Sequence, residues 1–100
     1  MTVRFNPEAK AEFLESVAYY EGQSPGLGNT FRTAVDEAIT QIATLPFLWA
    51  ILSGRVRRCL VRRFPYGILY NVQTDCVYIV AVMNLHRHPD YWKHRRKEET

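Results

Sequence analysis

One hundred residues, 47% apolar and 23% charged, suit one globular domain over residues 1–100 with a single modest core. No apolar run approaches the ~18 residues that cross a bilayer, and Met1 leads into Thr2-Val3-Arg4-Phe5 without an export pattern, so a membrane-bound or secreted protein is not expected. The net charge of +3 is uneven: residues 1–54 carry Arg4, Lys10 and Arg32 against six acids (−3), and residues 55–100 carry ten bases against four acids (+6). Such a one-sided positive field suits a polyanion or an acidic peptide, with a merely solvated basic surface as the bland alternative.

Val3 and Phe5 alternate with polar Thr2 and Arg4, the pattern of a short half-buried strand. Asn6-Pro7-Glu8 then signals a helix start, since Asn6 can cap free amides, Pro7 needs no donor at the first helical position, and Glu8 suits the positive helix end. Ala9, Phe13, Val17 and Tyr20 recur at helical spacing until Gly22. Ser24-Pro25 repeats the cap-and-proline signal, and Phe31, Val35, Ala38, Ile39, Ile42 and Leu45 form a second apolar stripe closed by Pro46. The short loop between the helices predicts an antiparallel hairpin.

Phe47 to Gly54 reads as a connecting segment with exposed-looking Phe47, Leu48, Trp49, Ile51 and Leu52. Arg55 to Phe64, Gly67 to Gln73 and Val77 to Met83 are β-rich, and the turns between them are short enough for an antiparallel meander. In the first of these strands Arg58 and Arg62 alternate with Arg57 and Arg63, and the pattern leaves open which arginines share a face. The expected fold is α+β: a short N-terminal strand, a helical hairpin packed on a three-stranded meander, and a short C-terminal segment. Cys59 and Cys76 lack Cys-x-x-Cys spacing and read as reduced thiols of a cytoplasmic protein.

Two stretches carry a family resemblance: Arg62-Arg63-Phe64-Pro65-Tyr66-Gly67-Ile68-Leu69-Tyr70, and His86-Arg87-His88-Pro89-Asp90-Tyr91-Trp92-Lys93-His94-Arg95. In this order and spacing they resemble the ParE/RelE superfamily of toxins from bacterial type II toxin–antitoxin (plasmid stabilisation-type) systems. The resemblance implies a cognate antitoxin as partner. It also implies one of two targets: DNA gyrase for ParE-like members, or messenger RNA on the ribosome for RelE-like endoribonucleases. No cofactor is implied.

The two branches ask for different chemistry. Cleaving RNA needs a proton acceptor, a proton donor and cations on the phosphate. The ribonuclease branch carries an arginine three positions before the tyrosine matching Tyr70, where this chain has Gly67, and many members have a histidine after Ala-Val-x, where this chain reads Ala81-Val82-Met83-Asn84. Asn84 does not exchange protons at neutral pH. A nuclease would have to fall back on His86, Arg87, Tyr91 and Arg63. A gyrase inhibitor needs shape and charge instead, so the ParE-like branch is favoured, with Arg57, Arg58, Arg62, Arg63, Arg87, Tyr91, Trp92, Lys93, Arg95, Arg96 and Lys97 as the interaction surface. Truncation after Pro89 is then expected to abolish toxicity and leave the fold. Tyr91 and Trp92 also suit docking of the terminal segment onto the sheet, and Phe64, Tyr66 and Tyr70 suit core packing. His86, His88, His94 and Asp90 match no closed zinc spacing, so no metal site is expected. A non-toxic nucleic-acid- or partner-binding module, including a degenerate toxin, is the reading from outside the toxin class.

Overall fold

Asn6 starts the helical half as the sequence predicts. Its Oδ1 accepts hydrogen bonds from the amides of Glu8 (2.8 Å) and Ala9 (3.3 Å), and Pro7 occupies the first turn of α1 (Pro7–Gln23). In this computed structural model, which describes residues 1–95, β1 (Thr2–Phe5) precedes α1, and α2 (Leu27–Thr44) follows it. The start of α2 departs from expectation. Ser24 ends α1, its amide bonded to the Tyr20 carbonyl, and Gly26 in the left-handed region (φ 87°) takes the N-cap position of α2. Gly26 has no side chain to cap with, and the Glu21 carboxylate of α1 does so instead, accepting from the amides of Gly26 (3.0 Å) and Gly28 (3.1 Å). The hairpin closes tightly at Gly28, where a Cβ would lie 2.7 Å from the Val17 carbonyl oxygen.

The second half forms β2 (Ile51–Ser53), β3 (Val56–Leu60), β4 (Tyr66–Val72) and β5 (Cys76–Asn84). The five strands lie in the order β1-β5-β4-β3-β2, with β1 parallel to β5 and the remaining pairs antiparallel. The expected α+β fold and its meander are present, with two refinements. The first meander strand stops at Leu60 rather than Phe64, because Arg63 turns into the left-handed region at φ 72°. The connecting segment contributes β2, an extra edge strand. That segment is fastened by Tyr70, whose hydroxyl donates to the Pro46 carbonyl (2.7 Å), and by Arg57, which donates to the Trp49 carbonyl (2.6 Å).

Both sheet faces are covered, by different material. On one, Phe13, Phe31, Val35 and Ile42 of the helices meet Cys59, Ile68, Tyr70, Val77 and Ile79. On the other, Val56, Leu69, Val80, Ala81 and Met83 surround Trp92, with Tyr91 packed against them. A bulge in the β4–β5 pairing, where Leu69 faces Ala81 and Tyr70 faces Ile79, leaves Val80 unmatched, so Val80 and Ala81 both join the second cluster. The expected docking of Tyr91 and Trp92 onto the sheet is observed. So is the core placement of Tyr66 and Tyr70, while Phe64 packs partly buried against them.

Candidate functional site

β1 ends at Phe5, opposite Ile79, while β5 runs on to Asn84. The far half of the β5 edge would therefore present unpaired backbone groups. Two side chains take the place of a strand there. Glu12, from α1, accepts from the Val82 amide (3.1 Å), and Arg95, from the C-terminal segment, donates to the Val80 carbonyl (3.1 Å). The two pair with each other: Arg95 Nη1 lies 2.8 Å from Glu12 Oε1 and Nη2 lies 3.3 Å from Oε2, with side-chain exposures of 6% and 14%. The Tyr91 hydroxyl also donates to Glu12, and the Arg87 guanidinium stacks 3.9 Å above the Tyr91 ring. One turn earlier on α1, Glu8 accepts His94 Nε2 at 3.1 Å.

Electrostatics follow from this packing. Burial and the adjacent Glu12 carboxylate push the Tyr91 phenol well above its ordinary range, so it stays protonated. For Arg95 burial alone disfavours the charge, but Glu12 outweighs it and the guanidinium is held more firmly charged. The cluster is built to hold the C-terminal segment.

The sequence-predicted residues separate into groups. Trp92 is fully buried and Arg95 is 6% exposed, so both are corrected from target contacts to structural residues; an indole amid the sheet and a guanidinium inside an ion pair have no free surface to offer. Truncation after Pro89 would therefore remove part of the core, which corrects the expectation that it leaves the fold. Arg57 shares the helix-side face with Tyr70 and spends its guanidinium on the Trp49 carbonyl and the Phe47 ring (5.2 Å). Arg58 points to the opposite face, paired with Leu69, and its stem lies over Gly67: a Cβ there would meet Arg58 Cδ at 3.0 Å and Cγ at 3.1 Å. Arg87 (55% exposed) and Lys93 (40% exposed) remain at the surface, Lys93 in an ion pair with Asp90 at 3.0 Å. Arg96 and Lys97 lie outside the described residues.

The four fallback nuclease residues are not gathered at one place. Tyr91 is engaged by Glu12 at the β5 edge, whereas Arg63 borders a cleft on the outer side of α2. His86 is exposed, its backbone amide bonded to Asn84 Oδ1, and His88 Nδ1 accepts the Asp90 amide at 3.1 Å. Among the described residues no three His, Cys, Asp or Glu side chains converge as metal ligands, and no helix is long and apolar enough to cross a membrane. Glu12 was missed by sequence reasoning. Its only signal is its place one turn after Glu8, on the helix that must face the strongly basic second half.

Residues 3–91 match the family described as ParE toxin of type II toxin–antitoxin system, parDE. The chain belongs to the ParE toxin family. A solved structure of the chromosomal ParDE toxin–antitoxin system from P. aeruginosa has a similar fold, with a TM-score of 0.75 at 14% identity, over 86% of this chain and 97% of that one. No curated protein sequence matches the chain significantly. Family membership makes the chain a type II toxin by kinship, and at so low an identity the structural likeness speaks for the ParE fold alone.

Proposed function

We propose that this ParE-family chain inhibits DNA gyrase by binding it, and that a cognate antitoxin masks it. The observation that supports binding over RNA cleavage is the commitment of Tyr91 to Glu12. Tyr91, one of the four residues a nuclease would need, is already a donor to a carboxylate and is pushed further from neutral ionisation, while Arg63 is on other ground. Gly67 supplies no cation, and the space above it is crossed by Arg58. Among the described residues, Arg87 and Lys93 stay at the C-terminal surface and suit electrostatic contact with gyrase or its DNA.

Pulse labelling of bacteria in the first minutes after induction of the chain tests this directly. Thymidine incorporation is expected to fall before uridine or leucine, and the purified chain is expected to block supercoiling by gyrase in vitro. An early fall in leucine with intact supercoiling would sink the gyrase reading in favour of messenger RNA on the ribosome.

A further inference from the structure

Residues 45–60 hold three arginines and no acid, and six large apolar side chains there stay between 42% and 66% exposed: Leu45, Phe47, Leu48, Ile51, Leu52 and Leu60. They lie on β2, on β3 beside it, or in the turn that leads into β2, where the Leu48 amide bonds to the Leu45 carbonyl. β2 ends the sheet and pairs with β3 alone, so its outer backbone groups face no strand. Ile51-Leu52-Ser53 carries neither the proline nor the charge that commonly blunts such an edge. The patch covers both sides of it. Ile51 pairs with Arg57 toward the helices, while Leu52 borders a cleft with Met83 and Trp92 on the opposite face. At these exposures the patch leaves on the order of 600 Å² of apolar surface open, which matches the apolar share (about two-thirds) of the ~800 Å² that each partner of a standard homodimer buries.

The charges nearby decide between occupants. Arg57 is engaged by the Trp49 carbonyl and the Phe47 ring, and the Arg58 stem folds over Gly67 of β4, away from the edge. That leaves Arg55, in the turn after β2, for an acidic segment to read, and no acid in this stretch for a basic one. A second copy of the chain needs neither. A two-fold axis through the middle of β2 sets Leu52 beside Leu52 and apolar surface against apolar surface, and it sends the two Arg55 side chains to opposite ends of the paired strands. Three residues per strand give few backbone hydrogen bonds, so apolar burial must carry the contact. We propose that the chain pairs with a second copy of itself across β2, the two five-stranded sheets joining edge to edge. This pairing is independent of the gyrase reading.

The test is sedimentation velocity of the purified full chain at high micromolar concentration, with no other protein present. A dimer is expected. Leu48→Glu together with Leu52→Glu, both at exposed positions, is expected to raise its dissociation constant by about a hundredfold and to leave the far-UV circular dichroism spectrum unchanged. Leu52→Cys gives a geometric check. Cβ atoms facing each other across an antiparallel pair lie ~4.5–5.5 Å apart, within a small shift of disulfide range, so mild oxidation is expected to join two Leu52→Cys chains on a non-reducing gel and to leave Asn29→Cys, on α2, single. The proposal is overturned if the chain sediments as a monomer, if the double variant dimerises as tightly as the parent, or if Leu52→Cys cross-links no more than Asn29→Cys.

Discussion

Glu12 carries more of this structure than any other single charged side chain described above. It answers a strand amide, a phenol and a guanidinium at once. Glu12→Gln keeps the size and one acceptor but removes the countercharge of a guanidinium that is 6% exposed, so it is expected to cost about 3 kcal/mol, read as a lower urea midpoint. A loss under ~0.5 kcal/mol would mean that the pair is no stronger than a surface contact. Cys59 gives a second prediction at this scale. Burial pushes its thiol pKa up to about 11, against ~8.5 in an unfolded chain. A raised folded pKa means stability that is full below the unfolded value and lost as pH rises through the folded one. The urea midpoint is expected to fall from pH 8.5 toward 11. Tyr70, raised by burial to about 12, adds the same sign above pH ~10. Cys59→Ala should flatten the lower part of that fall, and an unchanged slope would assign it elsewhere.

At the scale of elements, two glycines separate packing that yields from packing that does not. A Cβ on Gly28 would lie 2.7 Å from a backbone carbonyl of the facing helix, whereas on Gly67 it would meet the flexible stem of Arg58 at 3.0 Å. Gly28→Ala is expected to cost about 1–3 kcal/mol and lower Tm by several degrees, with Gly67→Ala close to the parent in a thermal melt. The C-terminal segment makes a sharper case. Truncation after Pro89 removes the fully buried Trp92 and the partner of Glu12, and is expected to unfold much of the population at 37 °C. Truncation after Arg95 keeps both, so loss of toxicity in that variant alone would assign the effect to residues 96–100. The apolar stripes of both helices were legible because 3.6-residue periodicity reports directly on burial, although Leu45, at the end of α2, is 56% exposed. β2 was not legible: Phe47, Leu48, Ile51 and Leu52 are apolar without alternation, and all four remain exposed along the edge.

Over the whole molecule, the uneven charge is partly resolved within the chain. Acids of α1, in the negative half, hold His94 and Arg95 of the positive half, so these two side chains are less available to a partner than composition suggests. Among the described residues of the C-terminal segment Arg87 and Lys93 stay outward, and the proposed gyrase contact should be sensitive to them. Arg87→Ala and Lys93→Ala are expected to change stability by no more than ~0.5 kcal/mol. Each is also expected to weaken gyrase inhibition, by about tenfold for the pair, with a loss that shrinks as salt is raised. Full inhibition by the double variant would move the target surface elsewhere on the molecule.

The sequence by itself determined the α+β class, the two helical stripes, the strand-rich second half and the family, because periodicity, caps and the Arg62–Tyr70 and His86–Arg95 motifs are local in the chain. The tertiary structure decided which charges are free. Whether Arg57, Arg58, Arg87 or Arg95 faces a partner, a carbonyl or a carboxylate depends on residues as far away as Glu12, 83 positions before Arg95, and no local pattern encodes a neighbour brought close only by folding.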